Sequence, residues 1–215
     1  MNGLTTTIAT FDKYAREYQD KYSKFEPYLK SYANFATLLS PDDQVLDIAC
    51  GPANISQALL QRHPRLAIYG IDLSPKMLEI AREKIPHGTF EQRDIRTLAA
   101  IEKRFDAIVC GFAVPYLSSD EVETLLSDVN NLLNPGAYLY ISAQLGDYAD
   151  SAYQENKNSD KVFIHYYSEE FLTNLLEHNG FTIIRIAYNL YDQSEATEQK
   201  EIFIQAKKGK SANLI

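Results

Sequence analysis

With 215 residues, 45% of them hydrophobic, the chain is long enough to bury one sizeable core as a single domain. Its 29 Asp and Glu against 21 Lys and Arg leave a formal net charge of −8. That balance excludes a broad electrostatic grip on nucleic acid or on an anionic membrane surface. Lys207-Lys208-Gly209-Lys210 is the one candidate basic patch and reads as a solvated end.

The first 40 residues read as helical, with Phe11, Tyr14, Tyr18, Tyr22 and Phe25 spaced along one stripe. Two roles suit that stripe: packing onto the core, or a lid over a site at about 10–30. The opening MNGLTTTIATFDKY has no basic segment followed by a long apolar run, so no secretory signal is expected. No apolar run approaches the ~20 residues needed to span a bilayer. Cys50 and Cys110 show no paired spacing, which predicts free thiols and a reducing, cytoplasmic setting.

From residue 44 the pattern alternates. Gln44–Ala49 is a buried strand, and 54–62 is a helix presenting Ile55, Leu59 and Leu60 on one face. Leu66–Asp72 is the next strand. Ser74 and Pro75 then open a helix, because serine can cap a free amide and proline fits the first turn. A short strand at 89–94 ends on Asp94, and 105–112 is a strongly apolar strand. Ser118 and Glu121 have capping-box spacing ahead of a helix.

Asn134-Pro135-Gly136 reads as a turn before a strand at 137–143. Residues 144–167 form a polar connection bearing several tyrosines, too long for a simple loop in a compact domain. Ser168 caps a helix that Asn179-Gly180 ends. Two strands follow, joined by a polar turn at 192–199 and antiparallel, because no crossover separates them. Repeated strand–helix alternation predicts a parallel sheet covered on both faces, with ligands at the carboxyl ends of its strands. Three of those ends carry Asp47, Asp72 and Asp94.

The turn after the first strand, Ala49-Cys50-Gly51-Pro52-Ala53-Asn54, holds one glycine and lacks the G-x-G-x-x-G pattern that lets backbone amides approach a pyrophosphate. Asp47 beside it would repel phosphate. The turn therefore suits a nucleoside without phosphates. No H-E-x-x-H, cysteine–histidine cluster or nucleophile elbow appears, so neither a metal nor a Ser/His/Asp triad is expected.

VLDIACGPAN, GIDLSPKMLEIAREK, the strand end at Asp94, FDAIVCGF and LLNPGAYLYIS resemble, in that order, the class I S-adenosylmethionine-dependent methyltransferases over about residues 40–206. The resemblance implies an α/β fold: a Rossmann-like, doubly wound, mostly parallel seven-stranded sheet with an antiparallel last strand and a helical N-terminal lid. It implies S-adenosyl-L-methionine as cofactor. The loop from Asp47 through Ala49, Cys50 and Gly51 to Asn54 would face the methionine part, and Asp72 the ribose hydroxyls. Leu73 and Met77 would flank the adenine, and Asp94 and Ile95 would meet its edge. Gly111 and Phe112 would lie near the sulfonium, and Tyr14 would reach the cofactor from the N-terminal cover. Ala49 and Ala53 depart from the pattern, since glycine usually fills both places.

The segment Gly111–Tyr116 lacks the polar first residue that steadies a nucleobase amino group, so the resemblance is closer to the small-molecule branch. The expected partner is a small-molecule methyl acceptor, enclosed by the lid and the 144–167 connection, not nucleic acid or membrane. Tyr116, His165 and Tyr166 are the candidate orienters or bases. Two other classes stay open at this point: a non-catalytic binder of the same cofactor, and a nucleotide-dependent oxidoreductase on a similar fold.

Overall fold

The computed structural model describes residues 3–155, 160–192 and 198–209. Three helices come first: α1 (Gly3–Lys13), α2 (Ala15–Tyr22) and α3 (Glu26–Ala36). Alternation then gives β1 (Gln44–Ile48), α4 (Asn54–Arg62), β2 (Ala67–Asp72), α5 (Pro75–Lys84), β3 (Thr89–Gln92), β4 (Phe105–Gly111), α6 (Ser119–Leu132) and β5 (Leu133–Gln144). A two-stranded unit, β6 (Ala152–Glu155) and β7 (Lys161–Ile164), precedes α7 (Glu169–His178), β8 (Phe181–Asp192) and β9 (Glu198–Lys208).

Seven strands make one sheet in the order β3-β2-β1-β4-β5-β9-β8. The first five run parallel, and β9 is antiparallel to both β5 and β8. The chain reverses direction across the sheet between β1 and β4, the switch point where such folds bind ligands. The two-residue period of β1 sends Leu46 and Ile48 into the layer shared with α6 and α7. Val45 goes to the opposite layer with α3, α4 and α5, and Asp47 points the same way. Both faces are covered, as a parallel sheet requires.

The helix starts follow their caps. Ser74 Oγ accepts from Met77 N at 3.1 Å, and Ser168 Oγ accepts from Phe171 N at 3.1 Å. Ser118 and Glu121 bond reciprocally at the head of α6.

Four expectations change in detail. The aromatic stripe is not continuous, because Tyr14 (φ −108°, ψ 21°) breaks the chain between α1 and α2. Asn134-Pro135-Gly136 lies inside the β5 span as a bulge between the pairs Phe105–Leu133 and Ala107–Tyr138, with Gly136 left-handed at φ 81°. The 144–167 connection carries the β6–β7 unit instead of an irregular loop, and β7 packs against α1. Lys207 and Lys208 are strand residues, not a solvated end: Lys208 Nζ donates to the carbonyls of Asn130 and Leu133 and closes the end of α6. The polar turn expected at 192–199 lies largely outside the described residues.

The N-terminal helices attach to the core in two ways. In α3, Phe35 and Ala36 are fully buried against Tyr140 and α4, so this helix belongs to the core. In α1, Asp12 reaches α5: its Oδ1 accepts from Ser74 Oγ at 2.5 Å and from Lys76 N at 3.0 Å. No helix of the described residues is long and apolar enough to cross a membrane.

Candidate functional site

A cavity of about 370 Å³ opens at the carboxyl ends of β1, β2 and β4, within the size range of small-molecule sites. Its floor is the turn after β1. Ala49, Gly51 and Ala53 in that turn are all left-handed, at φ 51°, 53° and 57°. For an L-residue that conformation costs about 1–2 kcal/mol, so the two alanines hold strain that surrounding bonds must offset. Gly51 N donates to Asp72 Oδ2 at 2.9 Å, and Cys50 N donates to the Ile71 carbonyl at 2.9 Å. From the far end of α5, Lys84 Nζ donates to the Pro52 carbonyl (2.9 Å), Asn54 Oδ1 (2.7 Å) and Gln19 Oε1 of α2 (2.8 Å). Burial pushes the Lys84 ammonium down to about 8.

Gly111, at the end of β4, is needed for a different reason. A Cβ there would meet Ile55 Cδ1 at 2.4 Å, so the Ile55 side chain of α4 would have to shift to admit a larger residue.

The three carboxylates are held differently. Asp47 is 1% exposed, and its Oδ2 accepts from Ser56 Oγ at 2.6 Å. Burial, opposed by that bond, pushes its carboxyl up to about 7. Asp72 accepts from the amides of Gly51 and Ser74 (2.8 Å), and burial again raises its pKa against those bonds. Asp94 lies two residues past β3. The Arg96 guanidinium clamps it, with Nε 3.0 Å from each oxygen, and holds its carboxyl below the ordinary value. Arg96 also reaches Glu121 Oε1 at 3.3 Å, so this corner is a closed acid–base–acid cluster.

Leu73, Met77 and Ile95 line the cavity beside these acids, as do Ala49, Cys50, Gly51 and Asn54. Phe112 takes a left-handed φ of 54°, held by its amide donating to Ser142 Oγ (3.0 Å) and to the Ser142 carbonyl (3.2 Å). That conformation turns the chain over the cavity, and the Phe112 ring meets Tyr28 at 5.0 Å between centroids.

Of the residues expected at the site, Tyr116 and His165 line the cavity, whereas Tyr14 and Tyr166 are not among its walls. Because the chain kinks at Tyr14, its hydroxyl instead donates to Asp160 at 2.6 Å. The Tyr166 hydroxyl takes a hydrogen bond from Gln154 Nε2. His165 N donates to the Pro115 carbonyl at 2.8 Å, while its Nδ1 is buried with no hydrogen-bond partner. Burial lowers its pKa.

Sequence reasoning missed Arg96, Tyr28, Tyr32 and Phe163 as wall residues. Arg96 had a signal, since an arginine two residues beyond an acidic strand end is placed to pair with it. Tyr28 and Phe163 had none, because their place depends on how α3 and β7 fold back. Among the described residues no group of three His, Cys, Asp or Glu is arranged to hold a metal.

Residues 45–136 match the family described as a methyltransferase domain. A trans-aconitate 2-methyltransferase of Variovorax paradoxus is 35% identical over 98 residues, which cover 46% of this chain and 37% of the relative. The chain spans less than two thirds of the length of the curated relatives it matches. Among solved structures, an S-adenosylmethionine-dependent methyltransferase from Clostridium acetobutylicum superposes with a TM-score of 0.69 at 19% identity, covering 90% of this chain and 98% of its own. The DhpI–SAH complex does so at 0.70 and 17% identity, covering 95% and 96%. The chain is thus similar to methyltransferase domains over residues 45–136, and its fold is that of the S-adenosylmethionine-dependent methyltransferase from Clostridium acetobutylicum.

Proposed function

We propose that the chain is an enzyme that moves a methyl group from S-adenosyl-L-methionine to a small-molecule acceptor. The observation that carries this reading is Asp72, a half-buried carboxylate at the end of β2 that lines the cavity and is oriented by the Gly51 and Ser74 amides. Its remaining lone pairs suit the paired hydroxyls of a ribose. With Asp47 near the turn and no glycine-rich phosphate cradle, the donor set fits a nucleoside without phosphates.

In this reading, Leu73, Met77 and Ile95 sandwich the base, with Asp94 at its edge, and the 47–54 turn and Gly111 meet the amino-acid part. When bound, the cofactor supplies an electrophilic methyl on a positive sulfur. The chain's own work is to orient the acceptor and exclude water; positioning alone supplies roughly 7–11 kcal/mol in favourable cases. Where the acceptor must lose a proton, His165 is the candidate base, since its lowered pKa leaves it neutral and its ring reaches the cavity. The two buried free cysteines suit a cytoplasmic enzyme. The acidic charge and a cavity of about 370 Å³ suit a small acceptor in place of nucleic acid or membrane.

Calorimetric titration with S-adenosylhomocysteine, followed by release of that product across a metabolite library, tests the proposal. Binding with slow turnover supports it. Binding of a nicotinamide dinucleotide in its stead would refute it.

A further inference from the structure

We propose that the acceptor is a flat, largely apolar molecule, and that the site rejects carboxylate acceptors. This deepens the methyl-transfer reading and rests on it. The half of the cavity away from the strand ends is built by the N-terminal helices, residues 112–117 and the β6–β7 unit. Rings of Tyr18, Tyr22, Tyr28, Phe112, Tyr116 and Phe163 line it. Tyr18 and Tyr22 meet at 4.6 Å between centroids, and Phe11 meets Tyr116 edge-on at 5.3 Å.

Charge is distributed unevenly. Among the described residues lining the cavity, the charged side chains are Asp47, Asp72, Asp94, Arg96 and Glu121, all at or beside the β1–β3 ends and the head of α6. Arg96, the one arginine or lysine of the wall, is already paired with both Asp94 and Glu121. Among the described residues, the ring-lined half therefore has no cation to meet an anionic acceptor, and a desolvated anion without a partner is strongly disfavoured.

Tyr28 sharpens the argument against anions. Its hydroxyl proton goes to buried Glu201 at 2.6 Å, so the Tyr28 oxygen has only lone pairs left to offer. A hydroxyl or N–H on the acceptor can donate to it. A carboxylate cannot.

The test uses the full chain loaded with S-adenosylhomocysteine and three probes of one skeleton: 2-naphthol, 6-hydroxy-2-naphthoate and a naphthylmethylammonium. By calorimetry, 2-naphthol should bind at least tenfold more tightly than 6-hydroxy-2-naphthoate, and the naphthylmethylammonium, which ring faces can accept, should also bind more tightly than the naphthoate. Equal or tighter binding of the naphthoate, or no binding of any probe at millimolar concentration, overturns the acceptor class while leaving the family reading intact. Failure of S-adenosylhomocysteine itself to bind overturns both, and is seen separately in the loading step. Tyr153→Lys adds a cation at the rim without touching the core, since Tyr153 is 57% exposed. It should narrow the naphthol-to-naphthoate ratio at least threefold, and an unchanged ratio counts against this wall as the acceptor side.

Discussion

Tyr28 of α3 donates a 2.6 Å hydrogen bond to Glu201 of β9, 173 residues away, and Asn189 of β8 supplies Glu201's other carboxylate oxygen with a donor at 2.8 Å. This buried contact joins the N-terminal helices to the inserted last strand. Tyr28→Phe leaves one carboxylate oxygen without its partner, which costs about 1–3 kcal/mol. Urea denaturation should show that loss, and an unchanged midpoint would contradict the bond. Burial raises the Glu201 pKa above its ordinary value, so the folded state holds that proton more tightly than the unfolded chain does. The sign follows: this group's contribution is full at low pH and is lost as pH rises through its raised pKa. Glu201→Gln should abolish that alkaline-side decline.

The two left-handed alanines predict different responses to glycine. Ala49 is only partly buried, so Ala49→Gly relieves about 1–2 kcal/mol of strain against roughly 0.5–1 kcal/mol of added chain entropy, and the protein should gain a few tenths to 1 kcal/mol. Ala53 is fully buried, and removing its methyl forfeits a further ~0.8 kcal/mol of apolar contact, so Ala53→Gly should be near neutral. Thermal melts of the two variants side by side decide whether strain or packing governs each position.

Much of this site was readable in the chain because its signals are local. A cap followed by proline set the start of α5, and acidic residues at strand ends placed Asp47, Asp72 and Asp94 on one edge of the sheet. Ala49 and Ala53, flagged as occupying glycine positions, do take the backbone angles that glycine favours. What stayed hidden depends on long-range packing. The stripe from Phe11 to Phe25 assumed a straight helix, and the kink at Tyr14 sent that side chain to Asp160. Lys208 looked like a free tail because nothing local shows that β9 runs inward between β5 and β8.

Asp72→Ala should weaken binding of S-adenosylhomocysteine by tenfold or more. Each charge-assisted bond to a ribose hydroxyl is worth about 1.5–3 kcal/mol. The same carboxylate also holds the Gly51 and Ser74 amides, so the variant should lose some stability as well. Calorimetry and a denaturation curve on the same preparation separate the two effects. Unchanged affinity would contradict the assignment.

Asp47 ties stability and cofactor affinity to pH in opposite directions. Its carboxyl sits at about 7 in the fold against an ordinary value of 3.8, so the folded protein holds a proton between those limits that the unfolded chain has released. Stability should therefore fall as pH rises from about 4 to about 7 and then level. A cofactor ammonium near Asp47 favours the ionised form, so affinity should rise over the upper part of the same range. Asp47→Asn should flatten both profiles. Titrations at pH 5.5, 7 and 8.5 would read the difference, and a wild-type affinity independent of pH would exclude pairing between Asp47 and a cationic group.

The N-terminal cover offers a test by graded truncation. α1 and α2 are tied to the core through exposed or partly buried bonds: Asp12 to the head of α5, Arg16 to Glu83, and Gln19 to Lys84. α3, by contrast, buries Tyr28, Tyr32, Phe35 and Ala36. Removing residues 1–22 should leave the sheet folded but speed release of S-adenosylhomocysteine, because the helical roof is gone. Removing residues 1–36 should prevent folding, since fully burying each large aromatic of α3 contributes roughly 1.5–3 kcal/mol. Asp12→Ala provides the milder version of the first cut: the Ser74 and Lys76 groups return to solvent, and release should accelerate with little change in melting temperature. Stopped-flow dissociation measured on the full-length chain, the 1–22 deletion and Asp12→Ala tells a roof from a structural helix. If the 1–22 deletion releases ligand at the full-length rate, α1 and α2 serve only as packing.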